Sequence, residues 1–382
     1  MALGLDILKV ARINRRARAL DDSRNVGAEM QWTRRIPTNN DVLDGDIMMR
    51  YQGRHQIADL IAEDSRAVTY KVGKFQLETN TAPKIKSGIV ASESEIKALA
   101  NLANGAPVSM VGMDADTLVN GMLNSLMIGQ DWRGEALRIA MLMDGFSYDR
   151  LGIKIASASW GLPSDLKVTP GTPWTTSASA TPVNDIYTLK EVARVKYGLN
   201  LTRMTMSMQG FRVMIATTEF QNKAKLLIAS PYDIPTNFVL NNYGVMIPLA
   251  ERVTGMTIEF NDFRYWSTDS TGARASARFW PIEKIVLSDP TMDGRMDNWD
   301  YANGLVVESA FLGMMNSATP QQIGQLSRGP LYYASYPPTL DPPELTIWGV
   351  SCGFPRKVNT LATHAWLSIG SLTDAIAVTD PF

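Results

Sequence analysis

Side chains able to do chemistry are few in this 382-residue chain, and their spacing suits little. There is one cysteine, Cys352, and there are two histidines, His55 and His364. A single thiol excludes an internal disulfide framework and every multi-cysteine zinc pattern. Two distant histidines are thin stock for general-base or metal chemistry, which leaves the carboxylates. "GVSCG", Gly349 to Gly353, fits the G-x-S-x-G pattern of a hydrolase nucleophile elbow, with Ser351 as nucleophile and His364 downstream. An elbow must turn directly into a helix, and Pro355 in "GFPRK" opposes one. Ser351 therefore reads as a buried strand end, and Cys352 as a structural thiol rather than half of a Cys–His pair.

"DGRMDNWDYANG", starting at Asp293, sets acids at the first and fifth positions of a calcium loop. It carries Arg295 third, Asn298 sixth and Gly304 twelfth, where that loop needs a ligand, a glycine and a bidentate glutamate, so it reads as a surface turn. Neither G-x-x-x-x-G-K-[ST] nor G-x-G-x-x-G occurs, so the common phosphate cradles are absent. The expectation is a protein that is not an enzyme and takes no cofactor or metal. A hydrolase using Ser351, or carboxylates between Asp293 and Asp300 such as Asp297, is the competing reading.

The elements that would position such groups are easier to read. Net charge is −1, with 45% hydrophobic and 20% charged residues, an ordinary globular balance in a chain long enough for two cores. The N-terminus does not read as a secretory signal, and no apolar run approaches the ~18 residues of a membrane span. Residues 3–20 fit an amphipathic helix with Lys9, Arg12 and Arg16 on a polar face. Residues 1–36 hold eight Lys/Arg against four Asp/Glu, a locally basic arm. "AVTYKVGKFQLET" alternates as a strand and "NTAPKIKSG" turns it back, predicting a polar β-hairpin over 67–90. Such a hairpin is marginal alone and needs a neighbour to lie on. "DADTLVNGMLNSLMIGQDWRGEALRIAMLMDG" predicts one long helix over 114–144, capped by an aspartate and stopped at Gly145.

"TPWTTSASATPVNDIYTLKEVARVKYG", from Thr172, sets Trp174 and a small polar strap before a helix opened by Pro182 and Asp185. Helices are predicted over 183–197, 207–218 and 219–229. Strand-like runs follow at "GVMIPLA", "MTIEFNDFRYW" and "ARFWPIEKIVLSD", the last two joined by the polar tip 267–276. A proline-punctuated return carries a strand from Leu345.

In order, these are a basic arm, a polar hairpin, a long spine helix, a Trp-bearing linker, an inserted α/β domain and a proline-rich return. With Trp174, Pro182, Asp185 and Ile186, "MTMSMQGFRVMI", "MTIEFNDFRYW" and "WPIEKIVLSD", the chain resembles the major capsid proteins of tailed phages. It resembles specifically the lambda-type family (major capsid protein E), over roughly residues 55–370. The resemblance implies an α+β fold of the Hong Kong 97 type, divided as N-terminal arm 1–57 and extended loop 58–92. A peripheral domain of 93–185 and 333–382 holds the spine helix 114–144, and an axial domain spans 186–332.

It implies a major capsid protein that self-assembles into hexamers and pentamers around double-stranded DNA, in a virion built in a host bacterial cytoplasm. A portal and scaffold or decoration proteins are the further partners, with no membrane. The expected contacts are Lys9, Arg12, Arg15 and Arg16 on packaged DNA, Tyr70, Lys71, Lys74 and Phe75 on a neighbouring subunit, and Trp174, Pro182 and Asp185 between domains. A cargo-enclosing compartment of the encapsulin type is the alternative on the same fold.

Overall fold

The computed structural model describes residues 10–23, 30–39, 47–52, 74–79, 84–91, 115–150, 153–227, 243–268, 274–296, 298–303, 330–335, 345–358, 360 and 362–374. The chain begins with α1 Val10–Ser23, α2 Gln31–Arg35, β1 Thr38–Asn39, β2 Ile47–Gln52, β3 Lys74–Thr79, β4 Lys84–Ala91 and α3 Ala115–Leu142. Next come β5 Phe146–Arg150, β6 Ile153–Ala158, β7 Lys167–Val168, α4 Pro182–Tyr197, β8 Arg203–Met206, α5 Met208–Ile215 and α6 Thr218–Leu227. Then follow α7 Tyr243–Thr254, β9 Thr257–Phe260, β10 Arg264–Thr268, β11 Arg274–Arg278 and β12 Lys284–Ser288. The chain closes with β13 Trp299–Asn303, β14 Leu331–Ser335, β15 Leu345–Lys357 and β16 His364–Ser368. The architecture is α+β, as expected.

Two compact units share the chain. The first holds Met1–Ile47, Thr79–Arg138 and Asp300–Pro355. Its sheet runs β1-β13-β15-β14, with β4 also paired to β15. In α3 the buried positions Val119, Met122, Leu123, Leu126, Met127 and Gln130 recur at steps of three and four, the signature of one face of a helix. That face packs with Ile13 and Ala17 of α1 and with Ala91, Tyr332 and Ile347 of the sheet. Asn14 adds a polar fastening: its Nδ2 donates to the Tyr332 carbonyl at 2.8 Å, and its Oδ1 accepts the Tyr332 N–H at 2.9 Å. One side chain thereby satisfies both backbone groups of a strand residue, the work a further strand would otherwise do.

The second unit holds Met48–Glu78, Ile139–Trp299 and Arg356–Phe382. Its sheet runs β7-β16-β12-β8-β9. β8 is buried at all four positions and β12 at four of five, so these strands read as apolar runs without alternation. Helices α4 to α7 close the core around Phe211, Met214, Phe220, Ile285, Leu287 and Leu367. β10 and β11 form an antiparallel hairpin of their own, Arg264↔Arg278 to Thr268↔Arg274, with its tip outside the described residues.

Two expected elements change. β3 and β4 are not each other's partners: β3 pairs with β2, and β4 pairs with β15 from Leu345↔Ala91 to Cys352↔Lys84. The 67–90 hairpin is thus replaced by a β2–β3 pair, because β4 gains more by extending a packed sheet than by closing a polar hairpin. "GVMIPLA" lies in helix α7, not a strand. Met246, Leu249, Ala250 and Val253 are buried at helical spacing, and Pro248 is tolerated on the exposed side. The compact units also divide at Arg138/Ile139, Trp299/Asp300 and Pro355/Arg356, whereas the expected peripheral and axial parts divide at 185/186 and 332/333.

Gly353 of β15 tests the packing of the first unit. A Cβ built there would stand 2.4 Å from Tyr301 Cε1, and Tyr301 is itself buried. Gly353→Ala should destabilise the protein by about 1–3 kcal/mol through overpacking, read as a lowered denaturation midpoint with the m-value unchanged.

Candidate functional site

Among the described residues, the groups that could have formed a hydrolytic site are committed to structure. Ser351 and Cys352 are buried within β15, which continues as strand through Pro355 to Lys357. No helix follows it among the described residues, so the elbow geometry is missing. His364 is fully buried. Its Nε2 stands 2.6 Å from the Leu142 carbonyl and its Nδ1 2.8 Å from Thr363 Oγ1. A carbonyl only accepts, so Nε2 carries the hydrogen and Nδ1 accepts the threonine hydroxyl. Burial, reinforced by nearby Lys357, pushes its pKa down to about 3. With both nitrogens occupied, the ring has no position left for a nucleophile.

The carboxylates behave likewise. Asp293 faces Arg203, whose Nη2 is 2.8 Å from Oδ1, and Arg203 Nε donates to Ser288 Oγ at 2.9 Å. Asp300 is fully buried and accepts Asn39 Nδ2 at 2.9 Å. Asp297 and His55 lie outside the described residues. Among the described residues no group of three or more His, Cys, Asp or Glu could hold a metal ion. No described helix is long and apolar enough to cross a membrane.

Of the residues expected to make contacts, Lys9, Tyr70 and Lys71 lie outside the described residues, as does the side chain of Arg12. Arg15 is exposed on α1 and Arg16 half-buried beside it, while Ile13, Asn14 and Ala17 of the same helix are buried, the two apolar ones in the first unit's core. Helical spacing therefore separates a docking face from a basic one. Lys74 and Phe75 open β3.

Trp174, Pro182 and Asp185 come together, but inside one unit. Trp174 is fully buried in the second unit's core; its backbone N–H donates to the Ile369 carbonyl at 3.0 Å and its Nε1 to Asp185 Oδ2 at 2.8 Å. Burial raises the Asp185 pKa, against the hydrogen bonds from Trp174 and Thr181 that lower it. Pro182 opens α4, and Glu219 of α6 accepts the Val183 N–H at 2.9 Å. The strap before it is wound into turns, with Ala180 N–H donating to the Thr176 carbonyl at 3.1 Å. The tryptophan locks α4 to the end of its own sheet, because a large ring with one donor is best satisfied where both an apolar pocket and a carboxylate are available.

Two positions escape the sequence reading. Glu135, on α3, is fully buried and takes the N–H groups of Trp32 (2.9 Å) and Thr33 (2.7 Å) together with the Thr33 hydroxyl (2.8 Å). Arg138, one turn on, donates to the Ile36 carbonyl at 3.2 Å and to Thr38 Oγ1 at 3.0 Å, and lies 4.2 Å from the Tyr301 ring centroid. Together they fasten residues 32–38, a part of the expected N-terminal arm that forms α2 and β1. Burial raises the Glu135 pKa despite those bonds, and pushes Tyr301 up to about 12. An acid and a base three residues apart on a helix is the available signal, though it is indistinguishable from an exposed pair.

No protein-family model matches the sequence, and no curated protein matches it. Solved structures do. A protein assigned as the capsid protein of an E. coli CFT073 prophage is 14% identical, with a TM-score of 0.55 over 94% of this chain and 99% of that one. A phage-related protein from Bordetella bronchiseptica RB50 is 13% identical, with a TM-score of 0.48 over 94% and 95%. An encapsulin complex of Synechococcus elongatus PCC 7942 is 9% identical, with a TM-score of 0.43 over 95% and 98%. The fold is that of the prophage protein, the Hong Kong 97-type arrangement expected from the order of elements.

Substitution separates the two contributions of Trp174. Trp174→Phe keeps most of the ring but removes the donor to Asp185, costing about 1 kcal/mol, whereas Trp174→Ala empties the pocket for about 3–5 kcal/mol. Equal effects of the two variants on chemical denaturation would mean that the hydrogen bond, not the packing, holds α4.

Proposed function

We propose that this chain is the major capsid protein of a tailed bacteriophage, a subunit that self-assembles into the hexamers and pentamers of an icosahedral head around double-stranded DNA. The observation that carries this is the end-to-end likeness of fold to the prophage capsid protein, which leaves almost nothing of either chain unmatched. Fold alone does not fix function, but the chemistry agrees with it. Among the described residues, Ser351, His364, Asp293 and Asp300 are engaged in holding segments together, which supports a structural role. The lambda-type placement within that class rests on the quoted residues alone.

In this proposal the first unit, with α3 and the β15 sheet, takes the peripheral part, and the second unit takes the axial part. The stretch from β2 to β3, carrying Tyr70, Lys71, Lys74 and Phe75, lies over a neighbouring subunit. Near-zero net charge lets many copies pack without repulsion. Lys9, Arg12, Arg15 and Arg16 of the basic N-terminal segment meet packaged DNA through phosphates without reading sequence. The remaining partners are a portal and scaffold or decoration proteins, and the place is the virion, assembled in the host cytoplasm.

Sedimentation and electron microscopy of the recombinant protein should show shells, tubes or capsomers; a stable monomer at high concentration would sink the proposal. Particles that contain a protein cargo and no DNA would transfer it to the encapsulin type.

Replacing residues 53–73 by a short Gly/Ser linker, which spares β2, β3 and β4, should leave the subunit folded and abolish assembly. Normal particles from that variant would remove the loop from the interface. Arg15→Glu in assembled particles should lower the salt concentration at which nucleic acid is lost, without changing the shell.

A further inference from the structure

One group in the second unit is built to stay neutral where its chemistry favours charge. His364, the first residue of β16, sits fully buried against the last residue of the spine helix, its Nε2 donating to the Leu142 carbonyl and its Nδ1 accepting from Thr363. Charged groups face it from three elements. Lys357, buried at the end of β15, and Lys167 of β7 oppose a positive ring, while Asp144, just beyond α3, favours one. A helix C-terminus also favours a cation. Asp144 is already taken, however: it pairs with Lys167 and accepts the N–H groups of Trp160 (2.7 Å) and Leu162 (3.2 Å). Two cations and complete burial outweigh one occupied carboxylate and a helix dipole. The Trp299 ring, its centroid 6.4 Å from that of the imidazole, packs on the same side chain.

The ties around this point are unequal. β16 is joined to β12 through five residue pairs but to β7 through only two, Trp366↔Lys167 and Leu367↔Val168. The end of α3 is held to β16 through His364, and residues 160–168 are held through Asp144 and the short β7. Opening therefore begins on the α3 and β7 side. We infer that His364 is an acid-sensitive lock, whose protonation releases the end of the spine helix and residues 160–168 from strand β16.

The sign follows from linkage. An imidazole released into water protonates near its ordinary value of about 6.5, while the buried ring resists until about 3. The closed state is fully favoured above the first value, and its advantage is lost as pH falls towards the second, about tenfold in the opening equilibrium per pH unit. Asp144 acts lower: burial raises its pKa, but the Lys167 hydrogen bond and the other partners outweigh that and hold it below the ordinary carboxylate range, so its contribution goes only in stronger acid. The lock belongs to the folded subunit and does not depend on what that subunit assembles into.

Amide hydrogen exchange of the full-length protein between pH 7 and 4.5, corrected for intrinsic rates, tests it. Protection of residues 143–145 and 160–168 should be steady above pH 6.5 and fall by about tenfold at 5.5 and a hundredfold at 4.5. His364→Gln, which keeps a donor for Leu142 and cannot titrate, should flatten that dependence. Unchanged protection in the wild-type protein, or the same slope in H364Q, overturns the inference. Should H364Q not fold, NMR of the wild-type protein with labelled histidine rings decides. His364 should stay neutral while these amides are protected, and titration near 6.5 with protection intact overturns the lock.

Discussion

An ionised group taken out of water must be surrounded by dipoles or opposite charge, and this requirement fixes which distant segments meet in both units. Apolar burial supplies most of the driving force, yet it is non-directional and tolerates sliding. Glu135 tolerates none: its oxygens need the two N–H groups of residues 32 and 33, and Arg138 needs the Ile36 carbonyl and Thr38 in the same stretch. Asp144 plays the same part in the second unit, collecting Trp160, Leu162 and Lys167. Breaking either node strands a buried charge, which costs far more than the pair contributes when intact. The polar nodes thus set the register of segments that the apolar cores merely hold together.

Each node stands on the spine helix or just past its end, and the helix is long enough to do more than pack. Its 28 residues extend about 42 Å, far beyond the usual three turns. Its apolar stripe serves the first unit's sheet over the residues from Val119 to Gln130. Past Gln130 the buried positions turn partly polar, with Glu135 and Arg138 among them. The helix therefore packs through one half and binds specific chain segments through the other. Asn14 gives α1 the same double character, apolar at Ile13 and Ala17 and a backbone mimic between them.

Much of the fold is legible in the sequence because it is local. The spine helix, helices α4 to α6 and the β10–β11 hairpin all follow from local periodicity and punctuation. What stays hidden is non-local. β4 looks like the return of β3 in sequence, but its partner lies over 250 residues away in β15. "GVMIPLA" is apolar enough for a strand when cut at seven residues, and becomes a helix once Val253 extends the period. Glu135 and Arg138 look like any exposed pair, since burial of a charge leaves no mark in the neighbouring sequence. Trp174 is recognisable as an anchor, but what it anchors depends on Ile369, almost two hundred residues further on.

A chain poor in chemistry can still be specific. Ser351 and His364 are candidates because those residue types are reactive in the right surroundings, and their surroundings here remove the reactivity. A hydroxyl within a continuous strand cannot be presented on an elbow, and an imidazole with both nitrogens bonded cannot take a proton from a nucleophile. Such groups remain useful where a hydrogen bond has to be both directional and dry. The threonine and the helix carbonyl fix the His364 ring in one tautomer, and that fixed ring sets where β16 begins relative to the end of α3. Reactive side chains used this way commit their polarity to placement, as His364 does with Thr363 and the Leu142 carbonyl at the start of β16.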